Sequence, residues 1–186
     1  MADTYLAASA AQLKIFEGSI NFAYLDSRSN VTYGVGFLLA DLQAFQAIPW
    51  LTSDNIPAVP TDVATAWAAV RAMTPNRLPG FYAYPGHLVA SQATIDAQLQ
   101  TELTALDAEL AQGFTGYTAY PDAAKVALLD MGWNLGYGEL YRGYPHMRAA
   151  VEAGTWVVAA QQCSREGISP QRNLWTAAQF QSCATV

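Results

Sequence analysis

The chain has 186 residues, of which 52% are hydrophobic and 13% are charged, and its formal net charge is −6. This composition is typical of a globular protein with room for one core, and it excludes a disordered chain. The nine Lys and Arg residues are scattered, so the basic stripe of a nucleic-acid-binding protein is missing and no nucleic acid is expected as a partner.

Residues 4–20 are predicted to form a helix. Leu6, Leu13, Phe16 and Ile20 recur at helical spacing, and Gly18 indicates that the helix ends near that point. An aspartate and no basic flank precede the apolar residues, which is typical of an amphipathic helix and not of a signal peptide. No uninterrupted apolar run reaches the length of a membrane span, so none is expected.

A small β-ribbon is predicted next, from Phe22 to Gly36. "DSRSN" is a turn-forming stretch, and "VTYGVG" combines β-branched and aromatic residues with glycine, which indicates a hairpin or a three-stranded ribbon. Prolines interrupt residues 40–90, where only a short helix over 62–73 is predicted. Further helices are predicted over residues 91–112, 121–135, 147–163 and 170–180, and a turn over 136–145.

We therefore expect a single mainly α domain, an α+β fold, over residues 1–186. Residues 1–90 would hold the first helix, the ribbon and an inserted segment rich in proline and aromatic residues. Residues 91–186 would form a helical lobe, with Ser91 and Ser169 as helix N-caps.

The residues that indicate chemistry lie around the ribbon. Glu17 follows Leu13 by one helical turn, and burial on that face together with the negative end of the helix dipole would favour the protonated form that a general acid needs. Asp26 begins a polar turn and should stay ionised, and Thr32 would hold a water beside it. One protonated and one ionised carboxyl suit cleavage of a glycosidic bond. Spacing alone favours the alternative, in which Glu17 is a solvent-facing helix charge and Asp26 a turn residue.

The stretch "EGSINFAYLDSRSNVTYGVG", residues 17–36, resembles the catalytic segment of the phage-type lysozymes, the family of the T4 phage enzyme. Glu17, Asp26 and Thr32 fall at the Glu, Asp and Thr of that family without a gap. "AKVALLDMGWNLGYGEL" is similar to its central helix, "HMRAAVEAGTWVVAAQQC" to the helical pair that follows, and "SPQR" to a late turn. The resemblance covers about half the chain and excludes residues 40–87. Phe37 stands where the family usually has a histidine.

The resemblance implies a lysozyme-like fold and a peptidoglycan hydrolase, a muramidase. It would cleave the β-1,4 bond between N-acetylmuramic acid and N-acetylglucosamine without a cofactor or metal. Glu17 would protonate the leaving oxygen, and Asp26 with Thr32 would activate water or stabilise positive charge at the anomeric carbon. The residues expected to bind substrate are Tyr24, Tyr33, Phe37, Asn134 and Arg172. The resemblance also places Arg172 beside Glu17, as the partner of its ionised carboxylate.

The expected partner is the glycan strand of peptidoglycan, with an immunity protein as a further possible partner of a monomeric enzyme. The protein would act in the bacterial periplasm or cell wall, as an antibacterial effector delivered by a secretion system or as an endolysin released by phage lysis. The alternative is a non-catalytic wall-glycan-binding module on the same fold, against which the complete Glu-Asp-Thr set argues.

Two features leave alternatives open. The aromatic residues of the inserted segment would either stack on sugar rings or pack an added lobe; they are Trp50, Trp67, Phe81, Tyr82 and Tyr84. Cys163 and Cys183 are far from both histidines, so no zinc-ligand spacing exists. They are either two buried thiols or one disulfide, which would require an oxidising compartment.

Overall fold

The structure is a computed structural model that describes residues 4–185. In chain order its helices and strands are α1 (Thr4–Glu17), β1 (Ile20–Leu25), β2 (Val31–Gly34), β3 (Phe37–Leu39), α2 (Leu42–Gln46), α3 (Pro60–Arg71), α4 (Gln92–Gly113), α5 (Asp122–Leu135), α6 (Tyr137–Gly143), α7 (Pro145–Glu152), α8 (Trp156–Gln162) and α9 (Pro170–Ser182). Short 3-10 helices span Pro79–Tyr82, Tyr117–Ala119 and Cys183–Thr185. The predicted fold class, mainly α with a small ribbon, is confirmed.

The described residues divide into two compact units. Residues 4–16 and 100–185 form a helical unit, and Glu17–Leu99 form a ribbon unit. The predicted boundary near residue 90 had grouped the first helix with the ribbon. In the structure α1 packs within the helical unit, where the Tyr5 hydroxyl donates to Asp107 at 2.9 Å and the Phe16 ring meets Trp175 at 5.3 Å.

Helix α5 is the centre of the helical unit, as its apolar sequence predicts. Leu128, Leu129 and Met131 have no exposed surface. The stretch 147–163 forms the pair α7 and α8, because the chain turns at Gly154, whose φ is +67°. Helix α9 begins as predicted, with the Ser169 side chain accepting a hydrogen bond from the amide of Arg172.

The turn predicted over residues 136–145 is wrong, because seven of those residues form helix α6. The three glycines and the final proline of residues 136–145 suggested a turn, but Leu140 is buried with no exposed surface. Gly136, with φ of +78°, ends α5, and its carbonyl accepts from the Leu140 amide at 3.1 Å. Burial of Leu140 therefore accompanies helix formation despite the weak helix propensity of the stretch.

The ribbon unit contains one antiparallel sheet of order β1-β2-β3. Tyr24 lies opposite Thr32, and Tyr33 lies opposite Phe37. Gly34, with φ of +63°, permits the β2–β3 turn, and a Cβ atom there would lie 2.6 Å from the Phe37 ring. Glycine is therefore required at position 34 by both backbone conformation and packing.

The inserted segment builds its own apolar core beside this sheet. The Phe45 and Trp50 rings stack at 4.8 Å, and the Trp50 indole donates to the Phe45 carbonyl at 2.8 Å. Helix α2 was missed because its five residues lack a sequence period, although Asp41 caps it by accepting from Ala44 at 2.8 Å. Helix α3 begins at Pro60, two residues before its predicted start, since proline suits the first helical position.

Candidate active site

Glu17 is the last residue of α1, and Gly18, with φ of +78°, turns the chain towards β1. The expected burial of Glu17 is wrong: Leu13, one turn earlier, is 1% exposed, whereas Glu17 is exposed. The last residue of the helix therefore lies outside the surface that buries Leu13. The predicted position at the negative end of the helix is correct, so the carboxyl combines access to solvent with a helix C-terminus.

Asp26 organises the β1–β2 turn with both of its carboxylate oxygens. Oδ1 accepts from the amides of Arg28 and Asn30, each at 2.8 Å, and Oδ2 accepts from the Asn30 side-chain amide at 3.0 Å. The backbone of the turn adds a bond from the Ser29 amide to the Asp26 carbonyl at 3.1 Å. These bonds hold the half-buried carboxylate in one orientation.

The same contacts determine the charge of Asp26. Partial burial raises its pKa, but the hydrogen bonds from Asn30 and Arg28 and the positive charge of Arg28 together outweigh that effect and hold the pKa below its ordinary value. This direction agrees with the expectation that Asp26 stays ionised, which remains a prediction. An oriented, ionised carboxylate can act as a base towards water or stabilise a nearby positive charge.

Thr32 and Tyr24 are cross-strand neighbours, so their side chains share one face of the sheet. Asp26 directly follows the end of β1, two residues after Tyr24. The Thr32 hydroxyl is buried and donates to the Tyr24 carbonyl at 3.4 Å, which leaves its oxygen able to accept. The water that Thr32 would hold beside Asp26 stays a prediction.

Tyr33 and Phe37 serve the core instead of the predicted substrate site. Tyr33 has no exposed surface and Phe37 is 6% exposed. Their rings pack on each other at 5.4 Å, and Tyr33 also meets Trp50 at 5.3 Å. Their residue type suggested sugar stacking, but they belong to the buried face of β2 and the adjoining β3. Tyr24, by contrast, is half-buried and stays a candidate for substrate contact.

The aromatic residues of the inserted segment separate into packing and exposed groups. Trp50 is 2% exposed and Tyr82 is fully buried, which favours the packing alternative for both. Trp67 and Tyr84 are half-buried. Phe81 alone among these five is exposed, with 49% of its surface accessible.

The other two predicted substrate-binding residues, Asn134 and Arg172, lie in the helical unit. Asn134 is half-buried in the last turn of α5. Arg172 is 6% exposed, and its Nε donates to Asp130 Oδ1 at 2.8 Å while its guanidinium lies 4.9 Å from the centre of the Phe16 ring. Its pairing with Glu17 stays a prediction.

A buried charged cluster around Asp130 was missed by the sequence analysis. Asp130 Oδ2 accepts from Arg165 Nη2 at 2.7 Å and from Thr176 Oγ1 at 2.7 Å, opposite the Arg172 bond. Arg165 also contacts the Asn173 side-chain oxygen, at 3.4 Å from its Nε. The available signal was an aspartate within the otherwise apolar stretch of α5, since a buried charge requires partners.

The cysteines are free thiols, and both are buried. Burial raises the pKa of Cys163 to about 11, and the positive charge of Arg165 offsets only part of this rise. Within residues 4–185, no group of three His, Cys, Asp or Glu side chains is placed to hold a metal ion. Over the same residues, no helix combines the length and apolar character required to cross a membrane.

No family model and no curated protein matches the sequence. Among solved structures, the chain is similar to the active form of the endolysin Lyz of phage P1. The TM-score is 0.56 and the sequence identity 15%, over 98% of this chain and 86% of the endolysin chain. At this identity the similarity establishes the fold alone, and the predicted lysozyme-like α+β fold is confirmed.

Proposed function

We propose that this protein is a peptidoglycan hydrolase of the lysozyme type, a muramidase that cleaves the β-1,4 bond between N-acetylmuramic acid and N-acetylglucosamine. The Asp26 carboxylate, held in one orientation by three hydrogen bonds from the β1–β2 turn, is the observation that carries the proposal. Thr32, which lies opposite Tyr24 on the sheet, and the exposed Glu17 at the end of α1 complete the proposed set. The fold shared with a phage endolysin supports the choice of substrate.

In the proposed reaction, Glu17 is the general acid. Its carboxyl donates a proton to the glycosidic oxygen as the bond to the anomeric carbon breaks, which makes the departing sugar a neutral alcohol. Glu17 is exposed, so a polymer can reach its carboxyl without local unfolding.

Asp26 is assigned to the opposite side of the reacting carbon. Its ionised carboxylate either removes a proton from the attacking water or stabilises the positive charge that develops on the sugar. Thr32 would orient that water through its hydroxyl oxygen. The two bonds from the turn amides hold Asp26 in place, so little reorganisation is required as charge develops.

The site of action follows from the proposed substrate. The protein would act on the bacterial cell wall as a monomer, either as an endolysin or as an effector domain with its own immunity partner. Membership of the T4-type lysozyme family is part of the same proposal. It rests on the motif from Glu17 to Gly36.

The test is clearance of purified peptidoglycan by Glu17→Gln and Asp26→Asn, with Glu109→Gln as the matched control on an exposed face of α4. Loss of general acid catalysis costs on the order of 10²–10⁴ in rate, so Glu17→Gln should be nearly inactive and Glu109→Gln fully active. Sedimentation with insoluble peptidoglycan should show that both site variants still bind it. A wild-type protein that binds without clearing would instead be a wall-binding module.

A further inference from the structure

We propose that the exposed ring of Phe81 is a stacking site for a sugar ring of the glycan strand, at a distance from the bond that is cut. This inference rests on the proposed function and deepens it, since it assigns a second contact for the same polysaccharide.

The loop that carries Phe81 is tied directly to the proposed site. Its 3-10 helix, Pro79–Tyr82, ends in Tyr82, whose hydroxyl lies 3.1 Å from the Leu25 carbonyl and 2.9 Å from the Thr74 carbonyl. Leu25 is the last residue of β1 and immediately precedes Asp26. Since Tyr82 is fully buried, the anchor fixes the loop to the same strand end that positions the ionised carboxylate.

A row of three aromatic rings runs from the sheet face to the loop. The Tyr24 ring lies 6.3 Å from the Tyr82 ring, and the Phe81 ring meets Tyr82 edge-to-face at 5.3 Å. The middle ring is buried, whereas the two end rings are accessible. Phe81 is therefore two ring contacts from the residue that faces Thr32 on the sheet, a separation suited to a chain of linked sugars.

Phe81 is presented to solvent by an ordered backbone. Its amide donates to the Leu78 carbonyl at 2.9 Å, and the Ala83 amide donates to the Gly80 carbonyl at 3.4 Å. The Arg77 guanidinium lies 5.9 Å from the ring centre, and 49% of the residue nevertheless stays accessible. Because the backbone that carries the ring is already ordered, little backbone entropy would be lost when a ligand stacks on it.

The chemistry of the surface identifies a saccharide as its occupant. The C–H face of a sugar ring is apolar and flat and matches an aromatic face, whereas the flexible Leu78, which is 84% exposed, offers no such plane. A lipid surface would instead contact the exposed Phe81 and Leu78 side chains equally. The tie to the strand that ends at Asp26 favours the glycan, since a polymer bound at Asp26 must continue past its anchored neighbours.

The experiment measures binding of a chitohexaose probe by calorimetry in a Glu17→Gln background, which prevents cleavage. Phe81→Ala should weaken the affinity by about 3–10-fold, Phe81→Trp should retain it, and Leu78→Ala, the matched exposed control, should leave it unchanged. In proteins with Glu17 intact, Phe81→Ala should raise KM for soluble glycan strands by a similar factor and preserve kcat. Melting temperatures should be equal, because the ring is exposed.

Unchanged affinity in Phe81→Ala would overturn the inference, and so would an equal loss in Leu78→Ala. Should Phe81→Ala lower the melting temperature, Phe81→Leu replaces it, and retained affinity in that variant would also count against stacking. Anionic lipid vesicles form a further arm: a Phe81-dependent loss of vesicle binding with normal sugar binding would assign the loop to membranes. Failure of the wild type to cleave peptidoglycan would refute the proposed function separately, because the binding arm does not require cleavage.

Discussion

The buried cluster around Asp130 gives the sharpest prediction about stability. Asp130→Asn keeps the size of the side chain but replaces one carboxylate oxygen with an NH₂ group. In the native cluster Oδ1 accepts from Arg172, and Oδ2 accepts from Arg165 and Thr176. The asparagine oxygen can accept hydrogen bonds on only one of these two sides. On the other side its NH₂ group would face a donor, either Arg172 or Arg165 and Thr176.

The expected loss of unfolding free energy follows from this geometry. Side chains of Arg165 and Asp130 are 0% and 3% exposed, and that of Arg172 is 7% exposed, so water cannot replace the lost acceptor. Removing one partner of a buried ion pair costs about 3–5 kcal/mol, and this carboxylate pairs with two buried guanidinium groups. We expect Asp130→Asn to lose at least about 3 kcal/mol.

Urea unfolding at neutral pH measures this loss, with Asp54→Asn, in an exposed loop, as the matched control expected within about 0.5 kcal/mol of wild type. A double-mutant cycle with Arg165→Met adds a second criterion. Removing Arg165 from the Asp130→Asn protein eliminates one uncompensated charge, so the double variant should be more stable than additivity predicts. A loss below about 1 kcal/mol in Asp130→Asn, or strict additivity, would refute this account of the cluster.

Three further predictions concern the ribbon and the thiols. The folded pKa of Asp26 lies below its unfolded value of about 3.9, so its carboxylate stabilises the fold above that value and the contribution is lost as pH falls through the folded pKa. Asp26→Asn should therefore flatten the loss of stability as pH falls below about 4, and an unchanged pH dependence would contradict this. Gly34→Ala should lower the unfolding free energy by about 2–4 kcal/mol, measured by urea unfolding, because the site combines a positive φ with a close contact to the Phe37 ring. Gly36→Ala also has a positive φ but open space around it, and should cost about 1 kcal/mol. Equal losses would show that the ring contact is unimportant. Cys163 and Cys183 should react with a thiol reagent only after unfolding, as two thiols per chain without a reductant, and fewer would indicate a disulfide.

Local sequence signals predicted the parts of the site that depend on neighbours in the chain. The end of α1 at Glu17, the polar turn at Asp26 and the strand with Thr32 lie within 16 residues, where helix periodicity, turn formers and β-branched residues act over short distances. Exposure of Glu17 was not predictable in this way. Its spacing from the buried Leu13 places both on one helix face, but the last turn of a helix can leave the surface that its earlier turns cover.

Contacts between residues that are distant in the sequence could not be predicted from local patterns. The three bonds to the Asp130 carboxylate span 35, 42 and 46 residues, so no local pattern links their members. The aromatic residues of the inserted segment show the same limit. Trp50 and Phe81 have similar sequence surroundings rich in proline, yet one is buried and the other exposed, because only the tertiary fold decides which ring faces the core.

Mass spectrometry of purified peptidoglycan after digestion tests the central claim most directly. The account predicts fragments that end in a reducing N-acetylmuramic acid, released by the wild type and by Glu109→Gln but not by Glu17→Gln. Such ends arise only when water attacks the anomeric carbon of that sugar, as the roles of Glu17 and Asp26 require. Fragments ending in N-acetylglucosamine or in an anhydro sugar, or glycan strands left intact by the wild type, would contradict it.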